Sequence, residues 1–381
     1  MKKKVIVIVG TRPEVIKMAP VYLALKDSEQ LEPVLLATAQ HREILDQALS
    51  VFAIQPDCDL DLMFKGQTLP SLTAKIINSV SDFLGEEPAE ALLVQGDTTT
   101  VLGSALAAFY AGVPIGHVEA GLRTHNIHTP FPEEMNRRLT SPLCRWNFAP
   151  TELSKKNLIK EGCSEENIYV TGNTVIDALS QVRDRMTASS NSTEELFIDL
   201  EIPDSFRPFW KGRWILMTGH RRESFGQGFE DLCHAVDRIT RRFDDVGILY
   251  PVHLNPNVRK PVNRILGDNK QVCLIEPVTY DNFVRLMDRA TLILSDSGGI
   301  QEEAPSLGKP VLVTRESTER PEGVEAGTCR LVGTNPERIV NEVSLLLESE
   351  EELARRSRLA NPYGDGSAAM RIRQCLESSL S

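Results

Sequence analysis

The segment "KVIVIVGTRPEVIKMAP", residues 4–20, opens the chain with an unbroken Val/Ile run, a glycine, and a stretch that reads as a helix carrying Arg12 and Lys17 near its start. A continuous β-branched run bounded by glycine fits a strand buried on both faces, and strand, turn and helix in succession build a parallel sheet. The pattern recurs along the chain. In the first half "PVLLATA", "ALLVQGD", "VPIGHVEAG", "WNFAP" and "IYVTGN" read as further strands, and in the second half "RWILMTGH", "VGILYPVH", "VCLIEP", "LILSDSGG", "PVLVT" and "CRLVG". Each set makes its own βα array. The expectation is an α/β chain of two Rossmann-like, doubly wound parallel-sheet domains in tandem, with a cleft between them.

Length agrees, since 381 residues exceed one ordinary core and domains usually span ~50 to 200 residues. The boundary is placed near "TGNTVIDAL": residues 1–174 form the first domain and 175–364 the second. Residues 365–381 return to the first domain through a last helix in "GDGSAAMRIRQCLESSL". The polar stretch "MTASSNSTEE", residues 186–195, reads as a loop.

Composition removes several classes of function. No apolar run approaches the ~20 residues needed to span a bilayer, and "MKKKVIVIVG" continues into "TRPEVIK" instead of a small-residue cleavage site. A cytoplasmic protein is expected, in which the glycosylation pattern "NST" at Asn191 would go unused. The seven cysteines are scattered without a C-x-x-C pair, so neither a zinc site nor a disulfide framework is predicted. A formal net charge of −11 argues against nucleic-acid partners and requires that any anionic ligand meet a local basic pocket.

Ligands of open parallel sheets bind beyond the carboxyl ends of the strands, so the residues after each strand matter most. "LILSDSGGIQEEAPSLGKP" places Ser297, Gly298 and Gly299 between a strand and a helix, where backbone N–H groups can meet phosphate. "TGHRRESFG" adds His220, Arg221 and Arg222, and "VTRESTERPEG" adds Arg315 and Arg320. No G-x-G-x-x-G follows a strand, so no dinucleotide is expected; a diphosphate on one nucleoside suits the second domain, with Phe283 a base neighbour. The first domain brings acids: Asp97 and Glu119 just beyond strands, Glu133 and Glu134 at the start of a helix behind Pro132. The plain structural alternatives are a helix cap for Asp97 and a capping role for one of the two glutamates. Acids facing a cationic pocket suggest proton transfer on a nucleotide-linked substrate.

Together "GTRPEVIKMAP", "TAQHREILDQ", "GDTTT", "GHVEAGLRT", "PEEMNRRLT", "PTELSKKNL", "TGNTVIDAL", "TGHRRESFG", "YPVHLNPNVR", "DSGGIQEEAPSLGKPV", "ERPEGVEAGT" and "NPYGDG" resemble the non-hydrolysing UDP-N-acetylglucosamine 2-epimerases over nearly the whole chain. The resemblance implies the GT-B fold and a homodimer. It also implies interconversion of UDP-N-acetylglucosamine and UDP-N-acetylmannosamine for surface polysaccharide synthesis, through UDP elimination to 2-acetamidoglucal and re-addition, with no cofactor or metal. It places Asp97, Glu119, Glu133 and His220 at catalytic positions, with base and acid unassigned. UDP contacts map to Arg12, Lys17, His220, Phe283, Ser297, Gly298, Gly299, Glu303 and Arg320. The chain departs from many relatives at Gln95. Around the family's allosteric motif it keeps Gln40, His41 and Arg42 but has Glu43 and Gly66 in place of glutamine and arginine. Competing readings are a hydrolysing epimerase that releases N-acetylmannosamine and UDP, a GT-B glycosyltransferase that needs no C2 base, and a silent UDP-sugar sensor. Retention of Asp97, Glu119 and Glu133 disfavours the sensor.

Overall fold

The computed structural model describes residues 2–38, 42–62, 66–188, 193–221 and 224–380. Gln40, His41 and the Arg42 side chain of the allosteric motif, Asn191 of the glycosylation pattern, and Arg222 lie outside what is described. The chain divides into two compact units, Met1–Gln181 with Tyr363–Ser381, and Val182–Pro362.

The first unit is built on seven parallel strands: β1 (Lys3–Val9), β2 (Leu31–Ala37), β3 (Cys58–Asp59), β4 (Ala91–Gln95), β5 (Ile115–Val118), β6 (Trp146–Ala149) and β7 (Ile168–Val170). Their order is β3-β2-β1-β4-β5-β6-β7. The Val/Ile run supplies β1, an interior strand between β2 and β4, and Val5 to Val9 are buried because helices cover both faces of such a sheet. All six strands expected in this half form. The seventh, β3, went unread because it is two residues long and exists only through its pairing with Leu36 and Ala37.

The second unit holds β8 (Arg213–Thr218), β9 (Val246–Pro251), β10 (Val272–Ile275), β11 (Leu292–Ser295), β12 (Val311–Val313) and β13 (Cys329–Leu331) in the order β10-β9-β8-β11-β12-β13, again all parallel. These are the six strands read from sequence. Ile215, Met217, Ile248 and Leu294 meet Phe229, Val236 and Ile239 of the helix Gln227–Arg242 in one core.

Strand order reverses between β1 and β4 in one sheet and between β8 and β11 in the other. At such points the loops after neighbouring strands diverge to opposite faces and leave a crevice. The last helix, Ala368–Ser379, packs within the first unit against the helix Arg12–Lys26. Asp177 accepts from the N–H groups of Ala368 and Ala369, at 3.2 and 2.9 Å, satisfying donors that a helix start leaves open.

Residues 186–195 are not simply a loop. Residues 186–188 finish the helix Thr174–Ala188, and residues 193–195 begin the helix Thr193–Asp199. Polar composition concealed this, but Glu194 and Glu195 suit the positive end of a helix, and Leu196 and Phe197 behind them are buried. Among the described residues no helix is long and apolar enough to cross a membrane.

Candidate active site

In the first unit the site grows from the loops after β1, β4 and β5. Glu14, one turn into the helix Arg12–Lys26, accepts from the N–H groups of Gly10 at 2.6 Å and Thr11 at 2.7 Å, and from the Thr98 hydroxyl at 2.5 Å. Burial pushes the Glu14 carboxyl upward in pKa, more than these hydrogen bonds pull it down. It thereby fastens together the two loops that flank the reversal in strand order. Reading by strand ends missed Glu14; the capping signature Thr11-x-x-Glu14 could have flagged it, although its partner Thr98 is 84 residues away.

Gly96 has φ of 81°, a left-handed turn that glycine adopts without steric cost. Thr98, not Asp97, caps the following helix Thr99–Tyr110 by accepting from Val101 N–H. The capping alternative for Asp97 is therefore removed. Its carboxylate accepts from Arg137 Nη2 at 2.5 Å, and its carbonyl from Asn136 Nδ2 at 2.8 Å.

Glu119 follows β5 with φ of 65°, a conformation that a non-glycine residue keeps only where its surroundings enforce it. The enforcement comes from a largely buried ion pair with Lys17, supported by Asn173 Nδ2 at 3.3 Å. Lys17 therefore reaches the end of β5 from the helix after β1, while Arg12 at that helix's start is exposed.

The helix Glu133–Thr140 separates the roles of its two leading acids. Glu134 is fully buried and accepts from the N–H groups of Thr124 and His125, at 3.0 and 3.1 Å, and from Arg137 Nη1 at 3.2 Å. It is an architectural anchor. Glu133 Oε2 is shielded from solvent and has no hydrogen-bond partner among the described residues. Of the three acids expected to react, Asp97 and Glu119 are paired with cations, and Glu133 keeps one oxygen without a hydrogen-bond partner among the described residues.

The second unit assembles a different chemistry. The N–H groups of His220 and Arg221, just past β8, donate to buried Asp296 at 2.7 and 2.8 Å, and His220 Nδ1 stands 3.3 Å from its other oxygen. Burial raises the Asp296 pKa, but the hydrogen bonds and charge of His220 outweigh it and the net shift is downward. His253, beyond β9, stacks on His220 with ring centroids 5.4 Å apart; burial and the neighbouring imidazole both lower its pKa. Asp296 and His253 were not picked out from sequence, because nothing local tells a carboxylate or imidazole that holds His220 from one in solvent.

Ser297 precedes the short helix Gly298–Glu303 without a side-chain cap bond. A Cβ at Gly298 would run into the Arg320 guanidinium, so glycine is what lets that cation lie against the turn. Glu302, fully buried, takes Arg320 Nε at 2.6 Å. Arg315 is engaged by Glu319 at 2.8 Å. Glu303 accepts from the Tyr280 hydroxyl at 3.0 Å. Burial, then the Glu303 charge, drives the phenol pKa far upward. Phe283, one turn further along the helix Tyr280–Arg289, is half-buried. His220, Ser297, Gly298, Gly299 and Arg320 thus stand past three adjacent strands, β8, β11 and β12, and Glu303 joins the Phe283 helix through Tyr280.

The profile of the UDP-N-acetylglucosamine 2-epimerase family matches residues 23–377. The chain is 54% identical over 376 residues to the UDP-N-acetylglucosamine 2-epimerase of Escherichia coli strain K12, covering 99% of each chain. The crystal structure of a UDP-GlcNAc 2-epimerase from Neisseria meningitidis bound to UDP-GlcNAc is similar at a TM-score of 0.90, with 46% identity, covering 98% of this chain and 100% of that one. The enzyme from Methanocaldococcus jannaschii in complex with UDP-GlcNAc and UDP gives a TM-score of 0.81 at 32% identity, covering 98% and 99%.

Proposed function

The chain belongs to the UDP-N-acetylglucosamine 2-epimerase family, and on that premise we propose how its residues interconvert UDP-N-acetylglucosamine and UDP-N-acetylmannosamine. A carboxylate of the first unit removes the proton on C2 while the C1–oxygen bond breaks and UDP departs with the electron pair. The resulting 2-acetamidoglucal is reprotonated at C2 from the opposite face, and UDP adds back at C1. No oxidant is needed, because one proton leaves C2 and one returns to it, and the UDP that leaves C1 is bonded to C1 again in the product.

The observation that carries this reading is the contrast among the three acids. Asp97 and Glu119 each sit in an ion pair, with Arg137 and Lys17, whereas Glu133 Oε2 has no hydrogen-bond partner among the described residues. Glu133 is the group free to exchange a proton with the sugar. The second unit takes UDP: the Ser297-Gly298-Gly299 turn and Arg320 meet the diphosphate, Glu303 the ribose hydroxyls, Phe283 the base. His220, held by Asp296, supports the leaving oxygen. Arg12 and Lys17 lend positive charge from the first unit. A cytoplasmic homodimer supplying surface polysaccharide precursors completes the proposal.

Incubation with UDP-N-acetylglucosamine in D₂O, without added metal or NAD and followed at C2 by proton NMR, tests it. Deuterium should enter C2 as UDP-N-acetylmannosamine accumulates. Free N-acetylmannosamine with UDP would indicate hydrolysis instead, and UDP binding without exchange would point to a transferase or a sensor.

A further inference from the structure

Resting on the reading of Asp97 as a reacting carboxylate, we propose that His117 is a positioning residue: its imidazole holds the Gly96 carbonyl and so sets the angle at which Asp97 is presented.

His117 lies on β5 with no exposed surface, so it cannot touch substrate. Its Nε2 is 2.7 Å from the carbonyl oxygen of Gly96. A carbonyl only accepts, so Nε2 must carry the proton, and in the neutral ring Nδ1 keeps its lone pair. Nδ1 is buried without a hydrogen-bond partner among the described residues, and a second proton there would be a buried donor with no acceptor. Burial first, then the nearby Arg123 and Arg137, outweigh the Gly96 carbonyl and Asp97 and bring the imidazole pKa down to about 4. Near neutral pH His117 is therefore a fixed N–H donor and no proton carrier.

What it donates to is the hinge of the Asp97 turn. Gly96 N–H is already tied to Val118 O on β5 at 3.1 Å, so β5 grips both sides of this glycine. On the far side Asn136 takes the Asp97 carbonyl and Arg137 its carboxylate. Gly96, at φ of 81°, is the residue in this turn most able to swing, since glycine has no side chain to resist rotation. Without the imidazole its carbonyl would be buried and unsatisfied, and rotating the peptide toward another donor would carry Asp97 with it.

The test compares His117→Leu, His117→Gln, Asp97→Asn and the Asp97→Asn/His117→Leu double variant for kcat, KM and UDP affinity, and records the tautomer of His117 in the unmutated protein by ¹⁵N NMR. Misplacing a reacting group costs on the order of 10²-fold, so kcat should fall about that far in His117→Leu with KM and UDP affinity nearly unchanged. Glutamine can donate to the carbonyl and should restore roughly tenfold of the loss. Because His117 acts through Asp97, adding His117→Leu to Asp97→Asn should cost less than about threefold more. The ring should be the Nε2–H tautomer and should not titrate between about pH 5 and 9.

Full additivity in the double variant, no rescue by glutamine, or an Nδ1–H or titrating ring overturns the proposal. Undiminished turnover in Asp97→Asn would instead sink the underlying reading of Asp97, a failure recognisable because the tautomer would be unaffected. Should His117→Leu not fold, the glutamine variant and the tautomer decide the matter.

Discussion

Arg137 grips Asp97 through Nη2 at 2.5 Å while its Nη1 reaches Glu134 at 3.2 Å. A residue past β4 is thereby indexed to the buried anchor of the helix that carries Glu133, and the spacing between two candidate proton-transfer groups is set by one planar side chain. Arg137→Met should lower turnover by ~10²-fold, because Asp97 loses its orientation. It should also cost about 2–4 kcal/mol in urea unfolding, since Glu134 is left buried with less compensation. Arg137→Lys, which lacks the two-pronged fork, should recover stability better than it recovers rate.

Adjacent glutamates should behave oppositely. Glu133→Gln alters a carboxylate whose Oε2 has no hydrogen-bond partner among the described residues, and it should leave the unfolding free energy within about 0.5 kcal/mol while cutting turnover by ~10² to 10⁴. Glu134→Ala deprives two backbone N–H groups and Arg137 of a fully buried acceptor and should cost roughly 2–4 kcal/mol. Chemical denaturation and the C2 exchange rate, measured on both variants, check this. Near-normal turnover in Glu133→Gln would end the assignment of that residue.

Gly298 is predicted to control the diphosphate site through Arg320. Gly298→Ala puts a methyl group where the guanidinium lies, and the displaced cation should weaken UDP binding by about tenfold, near 1.4 kcal/mol. Isothermal titration with UDP reads the effect directly; an unaltered affinity would exclude Arg320 from the diphosphate contacts.

Acid should loosen the second unit through Glu319. Burial acts to raise this carboxyl, but the hydrogen bond from Arg315 and the charges of Arg320 and Arg315 prevail and hold its pKa at about 2. A carboxylate depressed on folding contributes stability above its unfolded pKa of ~4.3, and loses that contribution as pH falls toward about 2. Glu319→Gln should thus be less stable than the unaltered protein at pH 7, by on the order of 1–3 kcal/mol. The gap should narrow across this acid window, as followed by urea midpoints against pH.

Much of the fold is legible in local sequence. Twelve of the strands are apolar runs bounded by glycine, proline or aspartate, and among the described residues only the two-residue β3 lacks that signature. Asp97, Glu119, His220 and the Ser297-Gly298-Gly299 turn are visible as polar or small residues just past those runs, and Glu133 as an acid at a helix start behind Pro132. Their partners are not. Lys17 is 102 residues from Glu119, Arg137 is 40 from Asp97, and Tyr280 is 23 from Glu303.

By itself, then, the sequence determined the two parallel sheets and the loops that carry the chemistry, because apolar runs, turn residues and helix starts are properties of contiguous residues. Only the tertiary structure decided that Glu134 is the anchor and Glu133 the open carboxyl, that Thr98 rather than Asp97 caps its helix, and that His117 is a buried donor to Gly96. Burial, ion pairing and hydrogen-bond satisfaction relate residues that meet in space, and their separation along the chain carries no record of the meeting.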